Sequence, residues 1–134
     1  MERIRVPARM TVKAMERQLA RKRIKEQERR IEEFIQESGT KSEYKLFDAW
    51  LERLEKSLLF PFTAKIVDDP GPLDIGDVLK VIKLDNTGQM CGLLAVSKYG
   101  RRKYVYPLCL LEVVDKDGIN FQLVDDYNFW FGNR

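Results

Sequence analysis

The sequence changes character at Pro61. Residues 11–58 contain no proline and a single glycine, Gly39, and they are rich in strong helix formers. After Pro61 come short runs of β-branched and aromatic residues that are separated by turn residues. A helical half followed by a strand half predicts an α+β fold, in which N-terminal helices pack on a small antiparallel sheet.

Five runs after Pro61 have the character of strands. Clusters of Gly, Asp, Asn and Pro lie between the runs and supply the turns. Five short strands in succession predict an SH3-like barrel or curled sheet, with the aromatic residues 127–131 closing one end. The predicted strands are 62–67, 77–84, 90–99, 102–108 and 119–124.

The helical half divides at Gly39. Its pattern predicts one helix over 11–38, which ends at a left-handed Gly39, and a second over 41–58, which begins at a capping box of Thr40 and Glu43. The predicted organisation is a basic helical arm over 1–40 and a domain over 41–134. The second helix carries an apolar stripe that is expected to face the core, formed by Tyr44, Phe47, Trp50, Leu51, Leu54 and Leu58.

The chain has no histidine and only two cysteines, Cys91 and Cys109. Without imidazole, the Ser-His-Asp and Cys-His mechanisms and ordinary zinc sites are excluded. No motif in the sequence resembles the site of an enzyme, so we do not expect one. Carboxylate and carbonyl oxygens remain as ligands, and they favour calcium, magnesium or manganese. Both cysteines are expected to be buried and reduced. With 44% hydrophobic and 34% charged residues and no long apolar run, we expect a cytoplasmic domain without a membrane span.

Four carboxylates lie within the ten residues that run from the end of the first predicted strand to the start of the second, namely Asp68, Asp69, Asp74 and Asp77. Two prolines and two glycines in this stretch let the chain curl, which suits an oxygen-ligated cation. A solvated turn is the alternative interpretation. Asp125 and Asp126 form a further pair near the C-terminus. Residues 115–118 fit no EF-hand register, because Val113 and Val124 would stand at ligand positions, and a hairpin turn is expected there.

Positive charge concentrates in two other places. Residues 1–34 hold 11 Lys and Arg against 6 Asp and Glu, so helix 11–38 is a candidate for binding nucleic acid or an acidic protein. It is also a candidate for self-association through Met15, Leu19, Ile31 and Ile35. The hairpin at 98–104 combines cations with aromatic rings, as single-strand and RNA-binding barrels do. Its candidate residues are Lys98, Arg101, Arg102, Lys103 and Tyr104.

Four segments resemble the CcbP-type family of small calcium-binding proteins, in order and at compatible spacing. The resemblance implies an amphipathic helix against a curled antiparallel sheet and binding of Ca²⁺ by surface carboxylates. Asp74, Asp77, Asp125 and Asp126 coincide with carboxylates of the family pattern, whereas Asp68 and Asp69 are added on local grounds. The segments are LEKSLLFPFTAKI at 54–66, GPLDIGD at 71–77, YPLCLLEV at 106–113 and DDYNFW at 125–130.

The chain departs from the family in charge, because members are typically acidic and this sequence has a formal net charge of +3. The leading prediction is a non-enzymatic protein that binds Ca²⁺ through surface carboxylates, in calcium buffering or signalling. An interaction module that binds nucleic acid or an acidic protein partner through the basic helix and the 98–104 hairpin is the alternative.

Overall fold

The computed structural model describes residues 11–68, 71–86 and 90–134. In chain order the elements form two helices, four strands, a 3₁₀ turn, a short strand and a final helix. They are α1 (Val12–Ser38), α2 (Glu43–Ser57), β1 (Phe62–Ile66), β2 (Val78–Asn86), β3 (Leu93–Tyr99), β4 (Arg102–Pro107), the 3₁₀ turn Leu108–Leu110, β5 (Leu111–Val113) and α3 (Ile119–Gly132).

The five strands form one antiparallel sheet in the order β4-β3-β2-β1-β5, which confirms the α+β prediction. The sheet is open, but it has to curl. Its edge strands β4 and β5 are joined by the short 3₁₀ turn Leu108–Leu110. The four residue steps from Pro107 to Leu111 span at most about 14 Å, whereas four strand spacings of a flat sheet amount to about 19 Å.

The fifth predicted strand is wrong. Residues 119–124 belong to α3, and the fifth strand is β5, which pairs with β1 through Ala64 and Val113. The alternating apolar residues at 119, 121 and 123 form a short period-two pattern, but over the whole of residues 119–132 the buried residues have helical spacing. Leu123, Tyr127 and Trp130 are all buried on one face of α3. The helix α3 also contains the aromatic segment 127–131.

The predicted hairpin turn at 115–118 therefore leads into a helix instead. The Asp117 backbone N–H donates to Asp115 Oδ1 at 3.1 Å, and Gly118 is the N-cap of α3. An aspartate that hydrogen-bonds the backbone two residues on is a normal turn device and requires no metal.

Gly39 ends α1 as predicted, in a left-handed conformation with φ 71°, and its N–H donates to Gln36 O. The predicted capping box is wrong. Ser42 is the N-cap residue of α2, and Thr40 Oγ1 accepts from the Ser42 N–H at 3.1 Å. The Thr40 oxygen is therefore engaged in the connection before α2 and does not cap the helix.

Trp50 lies at the centre of a core that joins all three helices. Its ring centroid is 4.2 Å from that of Phe34 on α1, and 5.7 Å and 5.8 Å from those of Tyr127 and Trp130 on α3. Other members of the predicted α2 stripe are also buried, namely Phe47, Leu54 and the adjoining Leu58. Tyr44, in contrast, is 70% exposed.

Helix α1 docks on this core only through its C-terminal half. Gln27, Ile31 and Phe34 are buried, while residues 12–26 are exposed apart from a half-buried Ala14. Ile31 thus packs within its own chain and is not available for the predicted self-association. Within the part of the chain that the structure describes, no helix is long and apolar enough to cross a membrane.

The prediction that both cysteines are buried is wrong for Cys91, which lies in the connection before β3 and is exposed. Cys109 is half-buried in the 3₁₀ turn, and burial raises the pKa of its thiol. Both thiols are free.

Candidate functional site

The loop between β1 and β2 closes at a G1 bulge. The Ile66 N–H donates to Asp77 O at 2.9 Å, and the Gly76 N–H donates to Ile66 O at 2.8 Å, so two residues of one strand oppose one of the other. Gly76 has φ 93°, a left-handed value that favours glycine. The bulge fixes Asp77 at the neck of the loop, opposite the end of β1 from which Asp68 follows.

A tight turn inside the loop ties two of the predicted calcium ligands together. The Asp77 N–H donates to Asp74 O at 3.0 Å, and Asp77 Oδ2 accepts from the Asp74 N–H at 3.0 Å. The loop is anchored to β4 as well, because the Leu73 N–H donates to the Tyr106 hydroxyl at 3.3 Å. Asp74 and Asp77 are therefore held in a defined relation.

The loop presents its carboxylates toward solvent. Asp68 and Asp74 are exposed and Asp77 is half-buried, whereas the predicted ligand Asp69 lies outside the described residues. The available metal ligands are carboxylate oxygens and the backbone carbonyl oxygens of the loop, and Ca²⁺ requires oxygen ligands of this kind. Within residues 11–68, 71–86 and 90–134, no three acidic, cysteine or histidine side chains converge closely enough to hold a metal ion.

The second predicted carboxylate pair is held by helix α1. Arg30 donates from Nε to Asp126 Oδ2 and from Nη2 to Asp126 Oδ1, both at 3.0 Å. Gln27 Nε2 donates at 2.9 Å to Asp126 Oδ1 and to Asp125 Oδ2. Two parallel bonds from a guanidinium to a carboxylate form a strong and directional ion pair. The hydrogen bonds that Arg30 donates to the Asp126 carboxylate raise the pKa of the Arg30 guanidinium.

Burial explains why Asp126 needs these partners. Its side chain is 6% exposed, while that of Arg30 is 30% exposed. A buried carboxylate is costly unless it is paired and hydrogen-bonded. The sequence does contain a signal for this ion pair, because Asp126 lies between Leu123 and Tyr127 on the buried stripe of α3. The signal was missed because residues 119–124, which precede the pair, were predicted as a strand, so Asp126 was not assigned to a helix.

One cavity is bordered both by the residue before the acidic loop and by one member of the C-terminal pair. Val67, which precedes Asp68, and Asp125 line the same cavity of about 200 Å³. Asn128 borders this cavity and donates from Nδ2 to Leu108 O and Leu111 O, which fixes α3 to the chain beside the loop.

The structure also brings together the residues of the basic hairpin at the turn between β3 and β4. Lys98, Arg101, Arg102 and Lys103 are exposed, and Tyr104 is half-buried with its ring 6.5 Å from those of Tyr99 and Tyr106. The β2–β3 register pairs Lys98 with Lys80, three residues after Asp77. Two lysines therefore stand close to the start of β2, where the acidic loop ends.

Comparisons with known proteins define the class. A calcium-binding family model matches residues 28–131. In fold, the chain is similar to the crystal structure of Anabaena CcbP, with a TM-score of 0.61 and 17% identity over 76% of this chain and 89% of that one. No curated protein matches.

The protein is thus of the calcium-binding class, with an α+β fold. In particular, it belongs to the CcbP calcium-binding family, whose model covers more than half of the chain. The resemblance drawn from the four sequence segments is confirmed, and membership of the family supports Ca²⁺ as the ligand. The comparisons give no support to the alternative of a nucleic-acid or acidic-partner module.

Proposed function

We propose that the protein binds Ca²⁺ in the β1–β2 loop, through Asp68, Asp74 and Asp77 together with Asp69, and that it acts in the cytoplasm as a non-enzymatic calcium buffer or signalling protein. The observation that carries this proposal is the bulge at the loop neck, which fixes Asp77 while its Oδ2 holds the Asp74 N–H. The Asp77 carboxylate is thereby held against the Asp74 backbone in a solvent-facing loop.

The ligand shell follows from the chemistry of the loop. Calcium takes about six to eight oxygens at about 2.3–2.6 Å and tolerates irregular geometry. The carboxylates would supply the charge, and backbone carbonyls of the loop together with water would complete the shell. Each ligand that calcium gathers restricts the loop further, so occupancy is expected to stiffen residues 67–77.

The affinity is expected to be modest, with a Kd of about 10⁻⁶ to 10⁻³ M. Because the described carboxylates are not gathered in advance, part of the binding free energy is spent on ordering the loop. Lys80 and Lys98 add a repulsive field beside the site. Asp125 and Asp126 also stay predicted ligands, although their oxygens are engaged with α1.

Isothermal titration of the metal-stripped protein with Ca²⁺ tests this assignment, with Mg²⁺ as the comparison ion. We expect saturable heat with Ca²⁺ and little with Mg²⁺. Asp74→Asn combined with Asp77→Asn should weaken calcium binding at least tenfold, because it removes two charges from the loop.

The matched control is Arg101→Ala combined with Arg102→Ala, which alters two exposed side chains on another turn and should leave the calcium isotherm in place. Full calcium binding by the double aspartate variant would contradict the assignment to the loop. An absence of calcium heat in the wild-type protein would contradict the function itself.

A further inference from the structure

The two cysteines are separated in sequence by β3 and β4, but they lie at the same end of this strand pair. The β3–β4 pairing ends at Leu94, opposite Pro107. Cys91 lies three residues before Leu94, and Cys109 lies two residues after Pro107 in the 3₁₀ turn. Because the strands are antiparallel, the two cysteine-bearing segments leave the sheet side by side, and β3 contacts the 3₁₀ turn.

Consecutive residues of α3 hold both segments. The Tyr127 hydroxyl accepts from the Leu93 N–H at 2.9 Å. Asn128 Nδ2 donates to Leu108 O at 3.3 Å. Gly92 approaches α3 so closely that a Cβ atom at its position would lie 2.5 Å from the Tyr127 hydroxyl oxygen. The backbone beside each cysteine is therefore fixed against the same turn of one helix.

The two thiols also influence each other electrostatically. Burial raises the pKa of the Cys109 thiol most strongly, and the charge of a Cys91 thiolate raises it further. Burial likewise raises the pKa of the Tyr127 hydroxyl, and the charge of a Cys109 thiolate adds to this effect. Such effects arise between neighbouring groups, so both cysteines and Tyr127 share one small region at the start of β3.

We propose that Cys91 and Cys109 are a redox pair, which a peroxide converts reversibly to an intramolecular disulfide. Cys91 is exposed and Cys109 is half-buried, so the oxidant reaches Cys91 first and Cys109 resolves the product. Redox-sensing cysteines are typically accessible to solvent and lie next to a second, resolving cysteine. This inference goes beyond calcium binding and does not depend on it.

The chemistry balances with hydrogen peroxide as the oxidant. The Cys91 thiolate attacks one peroxide oxygen, the O–O bond breaks, and a sulfenic acid forms while the leaving hydroxide takes up the thiol proton as water. The Cys109 thiolate then attacks the Cys91 sulfur, the S–O bond breaks, the S–S bond forms, and a second water leaves. Two electrons pass from the thiols to the peroxide. Two molecules of a thiol such as glutathione reverse the reaction by exchange and become its disulfide.

The first test is the effective concentration of the two thiols in glutathione redox buffers, measured by alkylation and mass spectrometry on the wild-type protein. A disulfide requires Cα atoms about 4.4–6.8 Å apart. We expect an effective concentration at least about tenfold higher in the folded protein than in concentrated guanidinium chloride, because the fold holds the segments together. Peptide mapping should find Cys91 linked to Cys109. An equal value in folded and denatured protein, or disulfides between chains only, would overturn the proposal.

Single variants test the order of the two steps. With peroxide, Cys109→Ser should stop at a Cys91 sulfenic acid that dimedone traps. Cys91→Ser should react at Cys109 at least about tenfold more slowly, because the remaining thiol is half-buried. Equal rates in the two variants would contradict the assignment of Cys91 as the first site of oxidation. Far-UV circular dichroism checks that each variant is folded, and the wild-type comparison tests the pair without any substitution.

Discussion

The β1–β2 loop and the Asp125–Asp126 pair are both acidic, but the chain treats them in opposite ways. The Asp77 carboxylate accepts from a backbone N–H within its own loop, at the protein surface. Asp126 is buried and held by a guanidinium from a helix at the other end of the chain. The difference teaches that the partners of a carboxylate in the folded chain, and not its sequence neighbours, decide whether it is available to a metal ion.

The largest expected effect is on stability. Asp126→Asn leaves Arg30 without its charged partner, and we expect the free energy of unfolding to fall by about 2–3 kcal/mol, less than for a fully buried pair because Arg30 is partly exposed. Urea denaturation measures this loss. Asp74→Asn combined with Asp77→Asn should change the free energy of unfolding by less than about 1 kcal/mol. An equal loss in Asp126→Asn and in this double variant would show that the two acidic regions do not differ in their contribution to stability.

A smaller effect is expected at the loop neck. Gly76→Ala places a side chain at φ 93°, where we expect a cost of about 1–2 kcal/mol. Because the bulge positions Asp77, calcium affinity should also fall several-fold in titration calorimetry. Gly132→Ala is the matched control, since a Cβ there meets nothing within 4 Å and its φ is not left-handed. Unchanged calcium affinity in Gly76→Ala would show that the bulge does not organise the site.

The smallest effect concerns the neighbouring lysines. Lys80→Gln removes a positive charge three residues after Asp77, and we expect calcium to bind about two- to threefold more tightly at low salt, with the gain shrinking as salt screens the interaction. Lys45→Gln on α2 is the control, an exposed lysine on a different element. A similar gain in both variants would indicate a general charge effect and not a local one.

Local pattern was sufficient for most of the fold. The helices α1 and α2 and the strands β1 to β4 follow from periodicity and from turn residues, because these elements pair or pack with near neighbours in sequence. The prediction of the C-terminal elements, β5 and α3, failed for a physical reason. Residues 119–124 alternate in hydrophobicity over a window too short to separate period two from helical spacing, and β5 has only three residues.

The candidate site was predicted only in part, because a sequence pattern reveals residues of one continuous segment and not residues that meet after folding. The acidic loop is one continuous segment, so its residues could be recognised from the sequence. The role of Arg30 could not, because Arg30 and Asp126 meet only in the folded chain, and Gln27 has no distinctive sequence signal. Knowing that α3 is a helix would have placed Asp126 on a buried face and raised the question of its partner.

The separation between Arg30 and Asp126 has a consequence for biosynthesis. The two residues are 96 positions apart, so at ordinary elongation rates Asp126 is made about 5–20 s after Arg30. During that interval α1 can pack Phe34 on Trp50 of α2, but Gln27 and Arg30 have no partner on α3. The cationic side chains of α1 then remain open to other molecules. The contact of α1 with α3 is therefore a late folding event, because it requires a chain in which Asp125 and Asp126 have been translated.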